Sequence, residues 1–452
     1  MSARDLRAEV ERLTLEMEAL RRSEDAPAEW KEYLALDDKF RLLARDRQTE
    51  DQPDRDRMSR LSKSAEVKRW GDRIRALDTR RWALRNRDFD LLSKAAGEQF
   101  DARHNALPKL ASGDTPRARA LGLTVLDYPR VDGSTSTHPL AVLIACRCLG
   151  APAEWVRRTA SPVPGYFGGP LFLNPNDPTT LRADSEFFLA EYTLQAGSNS
   201  SPASSSERLT VVVNRLLTTN ASTHQAYVNI VEGRSDIGLL ARPPSPDETN
   251  LAAAKGVEIS TVPIALDALV FIVNDASPVP NLTTGQIRDI YSGRIGNWEG
   301  VGGPDLPITA YQRERNSGSQ ELMISLVMKD LPFRAPDRKR APKDLYVVGG
   351  MTGPFVALTR DKSGLAYSVW YYERFMSGSP RTRVIAVDGV EPTDETLRSR
   401  RYPYTTEVLL VTRKDLDPAS PAGRWRNWSL SPEGLKVIAA SGYVPIAAAR
   451  ER

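Results

Sequence analysis

The sequence predicts an α/β fold preceded by a charged helical region, and two observations carry this prediction. Charged residues occupy 48 of the first 110 positions but only 72 of the other 342. From about Leu121, short β-branched runs alternate with Gly/Ser/Pro loops and amphipathic segments of helix length, which is typical of α/β proteins with largely parallel sheets. An apolar content of 40% is enough for a sizeable core and excludes a wholly disordered chain.

The N-terminal region has the periodicity of amphipathic helices. Its first apolar residues recur every three or four positions, as one helix face requires: Leu6, Val10, Leu13, Met17 and Leu20. Pro27 ends this helix, and Val67, Trp70 and Ile74 indicate a later one. We expect a helical hairpin or short bundle over residues 1–115. A coiled-coil arm for docking or self-association through these helices stays open as the alternative.

Composition excludes several classes of site. The only cysteines are Cys146 and Cys148, and the chain has three histidines, so no disulfide scaffold, metal centre or cofactor is expected. The net charge of +4 is spread over many charges of both signs, so no nucleic-acid partner is expected. No run of 18 apolar residues exists, so no membrane span is expected.

The chain start leaves the compartment open. The opening MSARDLRAEVERL has no apolar stretch and no small-residue cleavage site, so it is not a signal peptide. Either the protein stays in the cytosol, or an export signal has been removed and Met1 is an artificial start.

A polar loop at a helix start, next to a predicted strand, occurs four times. In the first copy, Leu123–Val131 is predicted as a strand, 133–138 as a polar loop, and 139–149 as a helix with Pro139 in its first turn. In the second, Thr223 is the predicted N-cap of a helix over 224–231, and a strand follows at 235–240. Unpaired amides at a helix start, the helix dipole and nearby hydroxyls together favour an anion.

The third copy adds a guanidinium to the same arrangement. A predicted strand at 308–312 precedes Arg313 and the loop residues 316–319, and a helix is predicted over about 319–328. Arginine binds a tetrahedral oxyanion through two parallel hydrogen bonds. The fourth copy, Gly349–Gly350 before Pro354, has only Thr352 as a side-chain donor and is supporting. A single such loop is ordinary helix capping, but the set together favours one shared anion site.

These segments resemble a known family in their order along the chain. The similar stretches include VDGSTSTHPL, AYVNIVEGRSDIGLLARPPSPDE, the run from Ala265 to Gly303, AYQRERNSGSQELMISLVM and LSPEGLKVIAASGYVP. Residues from about 125 to 447 resemble the phosphate ABC-transporter substrate-binding proteins, which have a type 2 periplasmic binding fold. The resemblance implies two α/β lobes, one of 120–266 completed by 405–452 and one of 267–404. It also implies a hinge crossing at Leu269–Val273, and it leaves the charged helices outside.

The resemblance also implies a set of ligand-binding residues, which are Ser136, Thr137, His138, Thr223, Arg313, Ser317, Gly318 and Ser319. His138 stands where the family commonly has an aromatic residue. One departure concerns the aspartate with which such proteins can accept the ligand's remaining proton, because Ala241 occupies that position. A protonated oxyanion would then lose an acceptor, so sulfate or another oxyanion stays open beside phosphate.

The expected function is therefore non-catalytic binding of a tetrahedral oxyanion, with inorganic phosphate first. The protein would be the solute-binding component of an ABC-type uptake system, with permease subunits as partners and a periplasmic location if it is exported. The alternative is an anion sensor or adaptor that uses the N-terminal helices as its output. An enzyme is not expected, because the sequence has no G-x-S-x-G, H-E-x-x-H or G-x-x-x-x-G-K motif.

Overall fold

The computed structural model describes residues 3–45, 52–124, 126–150, 153–159, 188–194, 222–334, 345–377 and 379–446. The chain forms two compact units, Met1–Ala95 and Ala96–Arg452. The Pro/Gly-rich segment 161–180 and the Ser-rich segment 198–206 lie outside the described residues. The lobe boundaries inferred from the sequence stay predictions.

The first unit is helical. It contains α1 (Ala3–Arg21), α2 (Ala28–Arg45), α3 (Gln52–Leu61) and most of α4 (Ala65–Asn105). Leu6, Leu13 and Met17 of α1 are buried, as their spacing predicts. Trp30 of α2 and Val67 of α4 are buried in one apolar cluster. The predicted helical N-terminal region is confirmed.

The second unit is built around a nine-stranded mixed sheet in the described part of the chain. The first strand group contains β1 (Val131–Gly133), β4 (Ile237–Leu240), β12 (Thr405–Arg413) and β13 (Val444–Pro445). The second strand group contains β7 (Thr309–Arg313), β8 (Leu345–Val348), β9 (Gly364–Val369) and β10 (Thr382–Val384). Strand β5 (Ile259–Asn274) pairs with both groups. Separate pairs join β2 (Ala153–Thr159) to β3 (Phe188–Leu194) and β6 (Asn281–Leu282) to β11 (Ala386–Val387).

Strand β5 connects the two strand groups. Its residues from Ile259 to Ala268 run antiparallel to β12, and those from Leu269 to Val273 run antiparallel to β9. Parallel pairing is found between β1 and β4, β7 and β8, and β7 and β9. The sheet is therefore mixed rather than largely parallel as expected, because β5 and β12 lie antiparallel between the parallel pairs. Burial of β5 on both faces explains its continuous apolar run.

Helices flank the sheet and begin or end at its loops. Their bounds are α5 (Pro116–Ala120), α6 (His138–Leu149), α7 (Thr223–Val231), α8 (Pro246–Ala254), α9 (Thr284–Ser292), α10 (Gly318–Leu322), α11 (Gly353–Arg360), α12 (Asp394–Arg398), α13 (Pro421–Ser429) and α14 (Pro432–Ala440). A π-helical turn, Met323–Met328, continues α10. Proline stands in the first turn of α6 and of α11, as predicted at Pro139 and Pro354.

The strand predicted over Leu123–Val131 is wrong for most of its length. Among the described residues of this stretch, strand pairing begins at Val131, in β1. The Thr124 backbone N–H and hydroxyl both donate to Asp127 Oδ1, at 2.5 and 2.6 Å. Such a local side-chain turn competes with extended pairing, and the apolar spacing alone does not reveal it.

Candidate functional site

A polar cavity of about 480 Å³ lies in the second unit, where the loops after β1 and β7 meet the first turn of α7. Its lining also includes Ala241 at the end of β4 and Gly350 and Met351 after β8. Three of the four strand–loop–helix copies thus contribute predicted residues to one cavity, and the fourth contributes its glycine turn. Thr352, the donor predicted in that fourth loop, is not part of the lining.

Hydrogen bonds tie the first loop to its neighbours. Ser134 Oγ lies 2.7 Å from Thr223 Oγ1 and accepts the backbone N–H of Ala241 at 3.0 Å. The Thr137 hydroxyl contacts two backbone carbonyls, those of Ser134 at 2.9 Å and Leu239 at 2.6 Å. Thr137 therefore uses its donor within the protein. Together these bonds fix the loop against the starts of α6 and α7.

The N-cap of α7 is Ser222, one residue before the predicted cap at Thr223. Ser222 has a positive φ of 91°, and its hydroxyl accepts the backbone N–H of Gln225 at 3.4 Å. Both adjacent residues carry a hydroxyl that suits a cap, so the sequence pattern does not choose between them. Because Ser222 takes the capping position, Thr223 occupies the first helical turn and contributes to the cavity wall.

The starts of α7 and α10 approach each other closely. A Cβ atom built on Gly318 would lie 2.6 Å from Thr223 Oγ1, a separation that real side chains do not adopt. Glycine at this position therefore lets two helix N-termini reach the same cavity. Unpaired amides and the positive ends of helix dipoles then concentrate there, which favours a bound anion.

Arg313 is the buried cation of the cavity. It is 5% exposed, although it lines the cavity directly. Its Nε donates to the Val348 carbonyl at 3.2 Å, and its Nη1 donates to Ser319 Oγ at 3.2 Å. Its backbone N–H donates to Gln320 Oε1 and to the Tyr367 hydroxyl, at 3.0 and 3.1 Å. These contacts fix the guanidinium at the end of β7.

Among the described residues, the charge of Arg313 is only partly balanced, by Glu314. Burial lowers the pKa of its guanidinium, and the nearby Glu314 acts in the opposite direction. Arg313 Nη2 lies 3.5 Å from Glu314 Oε1, but the Glu314 side chain is 48% exposed. Guanidinium remains protonated in proteins, so a buried one is stabilised by an anion brought to it.

The α10 loop provides hydroxyl donors beside this cation. Ser317 is the N-cap of α10 and accepts the Gln320 backbone N–H at 3.2 Å. Ser319 Oγ accepts from Arg313. Because each hydroxyl accepts one of these bonds, its own hydrogen remains for a ligand oxygen.

The structure places the predicted residues as follows. Six share the cavity wall, namely Ser136, Thr223, Arg313, Ser317, Gly318 and Ser319. Thr137 and His138 are outside the lining, and His138 is the first residue of α6. The prediction omitted Ser134, Ser222, His224 and Gln225, which also line the cavity. These residues are close to predicted site residues in the sequence and carry hydroxyl, imidazole or amide groups. That position was the one sequence signal that they could belong to the site.

The chain belongs to the PBP superfamily. A family model described as the PBP superfamily domain matches residues 179–433, which is more than half of the chain. This match covers parts of both strand groups and agrees with the type 2 periplasmic binding fold expected from the resemblance. The predicted fold class is therefore confirmed, and the family prediction is confirmed at the level of the PBP superfamily.

Among curated proteins, the chain is similar to phosphate-binding proteins. It is 26% identical over 187 residues to the phosphate-binding protein PstS of Borreliella burgdorferi, covering 40% of this chain and 64% of that protein. It is 25% identical over 231 residues to the PstS of Staphylococcus epidermidis, covering 50% of this chain and 68% of that one. The chain thus spans slightly less than two thirds of the Borreliella protein.

The chain is also similar to solved structures of proteins described as phosphate transport proteins. One, described as a phosphate ABC transporter substrate-binding protein from Clostridium perfringens with bound phosphate, is 25% identical. That match has a TM-score of 0.42 and covers 51% of this chain and 86% of the other. An ABC-type phosphate transport receptor from Vibrio cholerae is 23% identical, with a TM-score of 0.40 and coverages of 51% and 87%. In the described part of the chain, no helix has the length and apolar character that crossing a membrane requires.

Proposed function

We propose that this protein binds a tetrahedral oxyanion, with inorganic phosphate as the first candidate, and does so without catalysis. The observation that carries the proposal is the buried Arg313 in a cavity lined with hydroxyls and helix N-termini. A dehydrated oxyanion offers four oxygen atoms to these donors. It also brings negative charge to Arg313, whose positive charge Glu314 balances only partly. Membership of the PBP superfamily supports binding rather than turnover.

The proposed biological role is that of the solute-binding component of an ABC-type phosphate uptake system. The similarity to the two PstS proteins supports this role, since both are phosphate-binding proteins. The proposed partner is the permease of such a system, which would recognise the ligand-bound form.

The test is a thermal-shift and calorimetric titration with phosphate, sulfate and arsenate. At about 100 times the dissociation constant, a ligand stabilises the folded state by about 2.7 kcal/mol, which for a unit of this size raises the melting temperature by about 4 °C. We expect this shift in the wild type and its loss in Arg313→Ala. Arg294→Ala is the matched control, because Arg294 is 65% exposed and pairs only with Asp289 among the described residues.

The outcomes separate the alternatives. A phosphate shift that survives Arg313→Ala would place the ligand elsewhere and refute the site. No shift with any oxyanion in the wild type would refute the proposed function. Loss of the shift in Arg294→Ala as well would mean that arginine removal acts through general destabilisation.

A further inference from the structure

His224 lies in the cavity wall, where its ring contacts Glu248, the carboxylate of a buried ion pair with Arg242. It is the second residue of α7, and its side chain is 28% exposed. Its Nδ1 lies 3.0 Å from Glu248 Oε1. Among the described residues this is the only hydrogen bond of the ring. Its other nitrogen, Nε2, is therefore the one left for a ligand.

Glu248 is a fully buried carboxylate with a bidentate arginine partner. Arg242 Nη1 donates to Glu248 Oε2 at 2.8 Å, and Nη2 donates to Oε1 at 2.6 Å. The backbone N–H of Ser245 also donates to Oε2, at 2.6 Å. Burial would raise the pKa of Glu248, but the hydrogen bonds and charge of Arg242 lower it below its usual value. Glu248 is therefore ionised and accepts hydrogen bonds only.

This arrangement determines the tautomer of a neutral His224. An ionised carboxylate accepts a hydrogen, so Nδ1 carries the N–H that faces Glu248. The lone pair of the neutral imidazole is then on Nε2. The same pairing keeps the guanidinium of Arg242 out of the cavity lining, although Arg242 directly follows Ala241.

Apart from His224, the side-chain acceptors among the described lining residues are one carboxylate and neutral hydroxyl or amide oxygens. Of the described residues that line it, only Glu314 carries a carboxylate. That carboxylate is about half exposed and is already engaged by Arg313 and by the backbone N–H of Gly350, at 3.5 and 3.2 Å. Ala241 offers no side-chain acceptor.

We propose that His224 Nε2 accepts the remaining proton of a monohydrogen oxyanion and so selects phosphate or arsenate over sulfate. The proposal rests on the proposed function. It makes His224 a specificity-determining residue: a hydroxyl on the ligand gains a partner, whereas a sulfate oxygen would face a lone pair. Burying a ligand O–H that has no acceptor costs free energy, and His224 Nε2 removes that cost for phosphate. Sulfate has no proton to donate, so it gains nothing from Nε2.

The test compares phosphate and sulfate affinities by calorimetry at about pH 8, where both anions are divalent and differ by one proton. His224→Asn places an amide donor where Nδ1 stands and removes Nε2. His224→Gln places an amide oxygen near the position of Nε2. Lys255→Ala is the control, since Lys255 is an exposed residue just after α8.

We expect His224→Asn to weaken phosphate binding at least about tenfold while sulfate affinity stays within about twofold of the wild type. His224→Gln should retain more of the phosphate preference, and Lys255→Ala should retain all of it. Equal losses for both anions, or unchanged phosphate binding in His224→Asn, would overturn the role of His224 and leave oxyanion binding intact. A wild type that binds neither anion would overturn the proposed function and this inference together.

Discussion

Asp267 provides a pH-dependent test of the packing where β5 passes from one strand group to the other. It is fully buried on β5, and its Oδ1 accepts the backbone N–H groups of Ala268 at 2.8 Å and Tyr371 at 3.0 Å. Its Oδ2 has no hydrogen-bond partner among the described residues. Burial raises the pKa of Asp267 to about 7, although these two N–H groups act to lower it. The folded protein therefore holds this carboxyl protonated at mildly acidic pH.

The sign of the effect follows from comparing the folded and unfolded chains. Below the ordinary aspartate pKa of 3.8, both states are protonated and Asp267 imposes no penalty. Between that value and about 7, the unfolded chain is ionised while the folded one stays neutral, so the free energy of unfolding falls as the pH rises. The full loss, reached above pH 7, is about 4 kcal/mol from a shift of roughly three pH units.

The perturbation is Asp267→Asn, which keeps the Oδ1 acceptor and cannot ionise. Any constant cost of the new amide cancels when the variant is compared with the wild type at two pH values. Relative to the wild type, the variant's melting temperature should rise by about 5 °C more at about pH 8 than at about pH 4. Thermal unfolding followed by near-ultraviolet circular dichroism measures this difference.

The control for Asp267 is an exposed aspartate. Hydrogen bonds from Thr124 lower the pKa of Asp127, so it is ionised over the whole range above pH 5. Asp127→Asn should therefore change the melting temperature by a similar amount at about pH 5 and about pH 8. If Asp267→Asn is also independent of pH, Asp267 is not held neutral and the reasoning from its burial is refuted.

Two further predictions concern the cavity and the core. Gly318→Ala should weaken oxyanion binding at least about tenfold, because its Cβ would meet Thr223 Oγ1 at 2.6 Å; calorimetry that finds wild-type affinity would contradict the close approach of α7 and α10. Cys146 and Cys148 are buried, and burial raises the pKa of each thiol to about 12. Neither should react with a thiol reagent at about pH 8 until the protein is denatured, and rapid labelling of the native protein would show that α6 opens.

Local sequence patterns were sufficient to predict elements whose determinants are close together in the chain. The turn proline Pro139, the loop around Ser317 and the helix after it follow from capping and periodicity. The same patterns failed at Leu123–Val131, where a hydrogen bond between Thr124 and Asp127 replaces strand pairing. The spacing of the apolar residues gives no indication of the hydrogen bond between Thr124 and Asp127.

Residues whose role depends on distant partners could not be identified in the same way. His224 acquires its proposed role only because Glu248, 24 positions later, is brought beside it. Asp267 similarly depends on Tyr371, which is 104 positions away. In the sequence His224 stands between the polar residues Thr223 and Gln225, and Asp267 interrupts an apolar run. Neither pattern indicates the partner that tertiary packing brings to each residue.

Parallel strand pairing explains how ordinary helix caps come to form one cavity. Strand β1 pairs with β4 in register from Val131 to Gly133, so the loop after β1 lies beside Ala241 at the end of β4. Strand β7 likewise pairs with β8, and Arg313 lies opposite Val348, just before the turn at Gly350. In each parallel pair the carboxyl ends meet at one sheet edge, which is where ligands bind in α/β folds. Each loop alone could serve only to cap its helix, and this strand register brings the helix starts together around the one cavity that we propose as the anion site.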